Sequence, residues 1–116
     1  MIRKFNPSGI SAPQFYSHGV EVVSPQRMLF ISGQVGVRSD GRIGDGIAEQ
    51  TRVALENLQA VLADAGMEIS DIVKSTIYLT DESLFDGFAE AGAPLVSSPP
   101  PATTLIYVKA LASPAL

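Results

Sequence analysis

The stretch from Ile47 to Ala65 constrains this chain most, because its apolar residues recur with a helical period. Ala54, Leu58, Val61, Leu62 and Ala65 share one stripe, whereas Glu49, Arg52, Glu56 and Gln59 lie elsewhere around the same helix. Gly66 then supplies the residue type that most readily ends a helix in the left-handed conformation. A helix with one apolar stripe must bury it against another layer, and the flanking segments are rich in β-formers. Ile72 to Thr80, with Val73, Ile77 and Leu79 among its apolar members, reads as a strand. Thr103 to Val108 reads as a final strand, followed by a loop through Ala112, Ser113 and Pro114.

Upstream of the helix, Val20-Glu21-Val22-Val23 and Met28-Leu29-Phe30-Ile31 flank a Ser24-Pro25-Gln26-Arg27 break, which predicts two strands joined by a short turn. The second run is apolar on both faces until Ser32-Gly33-Gln34, so it is expected as an interior strand covered on both sides. Asp40-Gly41 marks a tight surface turn. Asp81 to Ala91 permits a short helix ending before Pro94, with Leu84, Phe85 and Phe88 on one face, although Gly87 weakens it by about 1 kcal/mol relative to Ala. Ser97-Ser98-Pro99-Pro100-Pro101 is a stiff connector, because consecutive prolines remove donors and fix φ. With a weak strand at Ile2 to Phe5, the order of elements predicts one α+β domain over residues 1–116, helices on one sheet face. The other face then needs a second subunit.

Composition supports self-association. An apolar content of 46% is high for 116 residues, a length that buries only roughly two thirds of its unfolded surface in one core. The net charge of -4 offers no basic field for phosphates, which disfavours nucleic acid as a partner. The absence of cysteine removes disulfides and thiolate chemistry and fits a reducing compartment. Met1 to Phe5 carries positive charge, yet Asn6, Pro7, Ser8 and Gly9 follow where a secretion signal needs an apolar run. No stretch approaches the ~20 apolar residues of a membrane span, so the expectation is a cytoplasmic protein without membrane contact. Leu116, an apolar residue just past a proline, is where a further strand is expected to begin.

Each chemically capable residue also has a plain structural role. Tyr16 is a packing or a pocket tyrosine. Ser32 and Gly33 end a strand, or they present a hydroxyl and an open backbone to a ligand. Thr103 and Thr104 are ordinary strand residues that also offer hydroxyls and amides to a carbonyl or carboxylate. Lys74, amid apolar neighbours, suggests a Schiff-base amine, although such a lysine more often snorkels or meets a carboxylate. Ser17 and His18 are adjacent on a strand and face opposite ways, so they do not form a nucleophile and base pair. One histidine without cysteine argues against zinc. Asp40, Asp45, Asp81 and Glu82 read as loop or capping residues.

Four ordered stretches go together: Phe15-Tyr16-Ser17-His18-Gly19-Val20, Leu29-Phe30-Ile31-Ser32-Gly33-Gln34, Gln50-Thr51-Arg52-Val53-Ala54-Leu55-Glu56-Asn57-Leu58 followed by Ala65-Gly66, and Asp71-Ile72-Val73-Lys74-Ser75-Thr76-Ile77-Tyr78-Leu79. They resemble the Rid family (YjgF-like, L-PSP endoribonuclease-like). The first is similar to its entry into the first long strand, the second to its Ser-Gly-Gln strand end, the third to its first helix and the fourth to the strand that follows. The likeness runs from about Asn6 to Leu116.

The resemblance implies a chorismate-mutase-like mixed β-sheet with two helices packed on one face, assembled as a homotrimer with small-molecule clefts at the subunit interfaces. It implies hydrolysis of amino-acid-derived enamines and imines to ammonia and a keto acid, with no metal or organic cofactor. Some members have been described as endoribonucleases. Tyr16, Ser32, Gly33, Thr103, Thr104 and Leu105 fall at the implied ligand contacts, and no catalytic residue is assigned. Deaminating members carry a carboxylate-binding arginine in a Pro-Ala-Arg-Ser stretch, where this chain reads Pro101-Ala102-Thr103-Thr104. They also place a glutamate on a last strand, beyond the point where this sequence ends, and their second helix is about one turn longer. A hydrolase, a non-catalytic metabolite-binding or regulatory protein, and a ribonuclease all share this fold; the acidic charge and lone histidine disfavour the last.

Overall fold

The structure, a computed structural model, describes residues 1–116. Its principal elements are β1 (Ile2–Phe5), β2 (Gly19–Val22), α1 (Gly46–Asp64), β3 (Lys74–Leu79), α2 (Phe85–Gly92) and β4 (Ala102–Tyr107). The α+β class is as expected.

β1 and β2 pair antiparallel, with Ile2 opposite Val22 and Phe5 opposite Gly19. Glycine lets the Phe5 ring lie across position 19, where a Cβ would stand 2.5 Å from Phe5 Cζ and push the ring aside. The partner of β2 is therefore the weak N-terminal strand and not Met28–Ile31. That apolar run is the main correction to the sequence reading: it forms no strand, Ser24 to Gln34 make no backbone-to-backbone hydrogen bond, and Phe30 is 85% exposed. Ser24, at φ +47° and followed by Pro25, turns the chain out of the ladder, and no strand of the same chain lies beside the segment that follows. Apolar content marked the segment for burial without supplying the backbone partner that a strand needs.

α1 begins and ends as its sequence dictates. Glu49 reaches back to accept from the Asp45 backbone N–H and from Arg38, while at the other end Gly66, at φ +70°, lets Met67 N–H donate to the Leu62 carbonyl at 2.8 Å. Asn57 Nδ2 donates to the carbonyls of Val35 and Val37 at 3.3 and 2.9 Å, which fastens the chain after the unpaired segment to the helix. α2 packs on α1 through small residues. A Cβ at Gly87 would lie 2.6 Å from Ile47 Cγ2, and one at Gly92 3.6 Å from Leu55. Gly87, unfavourable for helix formation, is what allows this approach.

β3 and β4 run parallel, registered from Lys74 opposite Ala102 to Leu79 opposite Tyr107, with α2 and the proline connector as the crossover. Ser75, Ile77 and Leu79 share one face with Thr103, Leu105 and Tyr107. Lys74, Thr76 and Tyr78 share the other with Ala102, Thr104 and Ile106. Leu79 is buried, whereas on the second face Tyr78 and Ile106 remain 52% and 42% exposed. The strands form two separate two-stranded ladders, and Val53, Leu62 and Leu79 are the only buried large apolar side chains. One chain thus closes a small core and leaves much apolar surface open. No helix is long and apolar enough to cross a membrane.

Candidate functional site

Ser17 organises the first half of the site. It is 2% exposed, donates from Oγ to the Pro100 carbonyl at 2.5 Å and from its N–H to Pro101 at 3.0 Å. These bonds dock the Phe15–His18 segment on the connector just before β4, which brings Tyr16 to the start of that strand. The Tyr16 ring stands edge-on to His18, centroids 5.5 Å apart. His18 is otherwise engaged: its Nε2 lies 2.8 Å from the Ser11 carbonyl and its N–H donates to Asn6 Oδ1 at 2.8 Å. Contrary to expectation, Ser17 and His18 precede β2 and lie on no strand; they stay apart as a possible pair because each is bonded to a different carbonyl, Pro100 and Ser11. The structural role of Ser17 escaped the sequence reading, since nothing local announces a contact across 83 residues.

The two threonines separate. Thr103 Oγ1 faces inward, 2.9 Å from Ser75 Oγ and 3.3 Å from the Pro101 carbonyl, so its hydroxyl is occupied. Leu105 is half-buried on the same side, opposite Ile77. Thr104 lies on the exposed side, where Lys74 Nζ donates to its Oγ1 at 3.0 Å and to the Ser75 carbonyl at 2.9 Å. Lys74 snorkels along the sheet and has no acidic partner, since the ion pairs of the chain are Arg3–Glu21, Arg38–Glu49 and Arg42–Asp40.

Ser32 and Gly33 stand apart from these groups. Both are exposed, the Ser32 carbonyl accepts from Gln34 Nε2 at 3.2 Å, and a Cβ at Gly33 would meet nothing within 4 Å. No hydrogen bond joins them to Tyr16, Thr103 or Thr104. A single chain therefore presents two sets of candidate contacts that no hydrogen bond joins, with Ser32, Gly33 and Thr104 exposed and Thr103 turned inward.

The acidic residues serve the scaffold. Asp40 is held below the ordinary carboxylate range by the Arg42 backbone N–H and guanidinium, Glu49 by the Asp45 N–H and then Arg38, and Asp81 by the Ser83 hydroxyl and N–H. No three His, Cys, Asp or Glu side chains gather as a metal site. A cleft of about 820 Å³ lies between β1, the end of α1 and the connector, but the candidate residues do not line it. Lys4 crosses its rim, donating to Ser97 Oγ at 3.2 Å and the Pro99 carbonyl at 3.0 Å.

Residues 8–116 match the family described as Endoribonuclease L-PSP. A RutC family protein of Saccharolobus solfataricus is 38% identical over 98 residues, covering 83% of this chain and 75% of that protein. The RutC family protein YjgH of Escherichia coli is 40% identical over 74 residues, which cover 63% of this chain and little more than half, 56%, of the relative. Among solved structures, YyfB from Yersinia pestis, described as a protein of unknown function of the conserved Rid protein family, superposes with a TM-score of 0.86 at 33% identity. That match covers 98% of this chain and 90% of YyfB. RidA from an Antarctic Psychrobacter superposes with a TM-score of 0.70 at 31% identity, covering 94% of this chain and 84% of its own.

Proposed function

Because the chain belongs to the Rid family (YjgF-like, Endoribonuclease L-PSP), we propose that it acts as a homotrimer whose small-molecule pocket is completed between subunits, and that this pocket hydrolyses an imine, enamine or other carbonyl-derived metabolite. The observation that carries the reading is the coincidence of candidate contacts with uncovered apolar surface. Tyr78 and Ile106 flank Thr104 on an open sheet face, and Met28 and Phe30, 70% and 85% exposed, precede Ser32 and Gly33. Large apolar side chains left exposed in this number point to an interaction site. A second copy that covers it brings two incomplete sets of polar groups into one enclosure.

In that enclosure the Tyr16 hydroxyl, Ser32 Oγ and the backbone near Gly33 and Leu105 would hold the carbonyl-derived carbon and position the attacking water. Exclusion of bulk water strengthens each contact. The reading places the trimer in the cytoplasm and invokes no cofactor. Position 103 matters for substrate choice: where the resemblance places a carboxylate-gripping arginine, this chain has a neutral hydroxyl already bonded to Ser75 and Pro101. A ribonuclease is the weaker reading, since the chain carries a charge of -4 and its lone histidine is engaged by the Ser11 carbonyl. A metabolite-binding protein without turnover shares the same pocket and differs only in rate.

The test is hydrolysis of a panel of small imines generated in place, with ammonia release followed for wild type and Tyr16→Phe. Acceleration by the wild type that falls in the variant supports the hydrolase. An unchanged lifetime for every imine in the panel leaves only the binding protein.

A further inference from the structure

We infer that Lys74 and Thr104 form an anion-binding end of the interface pocket, and that the ligand carries a carboxylate held there and not at position 103. The inference rests on the pocket proposed above and adds its charge preference. Lys74 Nζ has three protons; the Ser75 carbonyl and Thr104 Oγ1 take two, at 2.9 and 3.0 Å. Because Thr104 Oγ1 accepts from the ammonium, its own hydroxyl proton is free to be donated. One free ammonium proton and one free hydroxyl proton side by side match the two oxygens of a single carboxylate.

The surroundings supply no counterion. The face shared by Lys74, Thr76, Tyr78, Ala102, Thr104 and Ile106 contains no acid, and Asp71, three residues before Lys74, accepts from the Glu68 N–H. An exposed lysine tolerates this. A lysine covered by a second subunit does not, because an unpaired ammonium removed from water must find a negative partner or lose its charge. The apolar neighbours Tyr78 and Ile106 argue that the face is covered, and the missing acid argues that the counterion arrives with the ligand. Residue 103 points to the opposite face, so an acid gripped by Lys74 places its reacting carbon differently from one gripped there.

The probes are pyruvate and pyruvamide, which differ in charge and hardly in shape, titrated calorimetrically into the assembled protein and its Lys74→Gln, Lys74→Arg and Thr104→Val variants. We expect pyruvate to bind at least about tenfold tighter than pyruvamide, the weight of one charge-assisted contact. Lys74→Gln should erase that preference, Lys74→Arg should keep most of it, and Thr104→Val should reduce it. Equal binding of the two probes by wild type, or a preference that survives Lys74→Gln, overturns the inference. So does Lys74→Gln dissociating the assembly while Thr104→Val, still assembled, keeps the full preference, which would mean that a neighbouring subunit supplies the counterion of Lys74. A wild type that is monomeric fails the underlying reading first, and light scattering on the same samples separates that failure from the others.

Discussion

Gly87→Ala sets two effects of similar size against each other, and the structure says which prevails. In a helix interior alanine is favoured over glycine by about 0.8–1 kcal/mol. The new Cβ, however, would stand 2.6 Å from Ile47 Cγ2, closer than carbon atoms approach without displacement. That methyl belongs to a β-branched side chain with restricted χ1, on a helix whose position is fixed by other contacts, so relief requires α2 to move outward. Overpacking of this kind costs about 1–3 kcal/mol, so the substitution should destabilise by about 1 kcal/mol net. Removing the obstructing methyl should reverse the sign: in an Ile47→Ala background, Gly87→Ala should stabilise by about 1 kcal/mol, which makes the coupling about 2 kcal/mol. Urea unfolding followed by circular dichroism at one fixed protomer concentration measures all four corners of the cycle, with an unchanged m-value as the condition for comparison. A Gly87→Ala protein stabilised in the Ile47 background, or a cycle without coupling, would refute the packing argument.

Ser17→Ala should lower stability by about 1 kcal/mol through loss of the bond to Pro100, with the Tyr16 ring resonances broadened by NMR because its segment is no longer docked. Glu49 has a lowered folded-state pKa, so its contribution is present above the unfolded value and is lost as pH falls through the folded one. Glu49→Gln should therefore melt lower than wild type at neutral pH, and the gap should close on acidification; a gap constant with pH would contradict the assignment. Hydrolysis of 2-aminoacrylate, generated by a dehydratase, should be slow, because the neutral occupied hydroxyl at position 103 forgoes a charge-assisted contact of about 1.5–3 kcal/mol there, and a carboxylate held instead by Lys74 on the other face displaces the reacting carbon. Strong acceleration of its disappearance by the wild type would show that anchoring at that position is irrelevant.

The helices, the strands around them and the caps were legible because each is a local pattern. The period of α1 and the stop at Gly66 lie within one window, and so does the Asp40-Gly41 turn, where Gly41 takes φ +86°. What was not legible depends on distant partners. Gly87 read only as a weak point in a helix, since nothing near it in sequence says that Ile47 presses on it. Met28–Ile31 read as buried strand because apolarity reports a need for cover and says nothing of what provides it. The inward turn of Thr103 and outward turn of Thr104 was available from the alternation of a strand, a rule that the sequence reading spent on Ser17 and His18, which precede β2. Applied to the threonines it would have parted them. The Lys74–Thr104 contact required the parallel register of β3 and β4, which no single segment encodes.

The central claim is that uncovered apolar faces bring the candidate contacts together between subunits, and the mass of the particle in solution tests it most directly. Light scattering coupled to size exclusion at micromolar protomer should give three times the 12.2 kDa of one chain, and Tyr78→Glu, which puts a charge on the sheet face that a neighbour is said to cover, should shift that mass downward. A wild-type particle with the mass of a single chain would contradict the account.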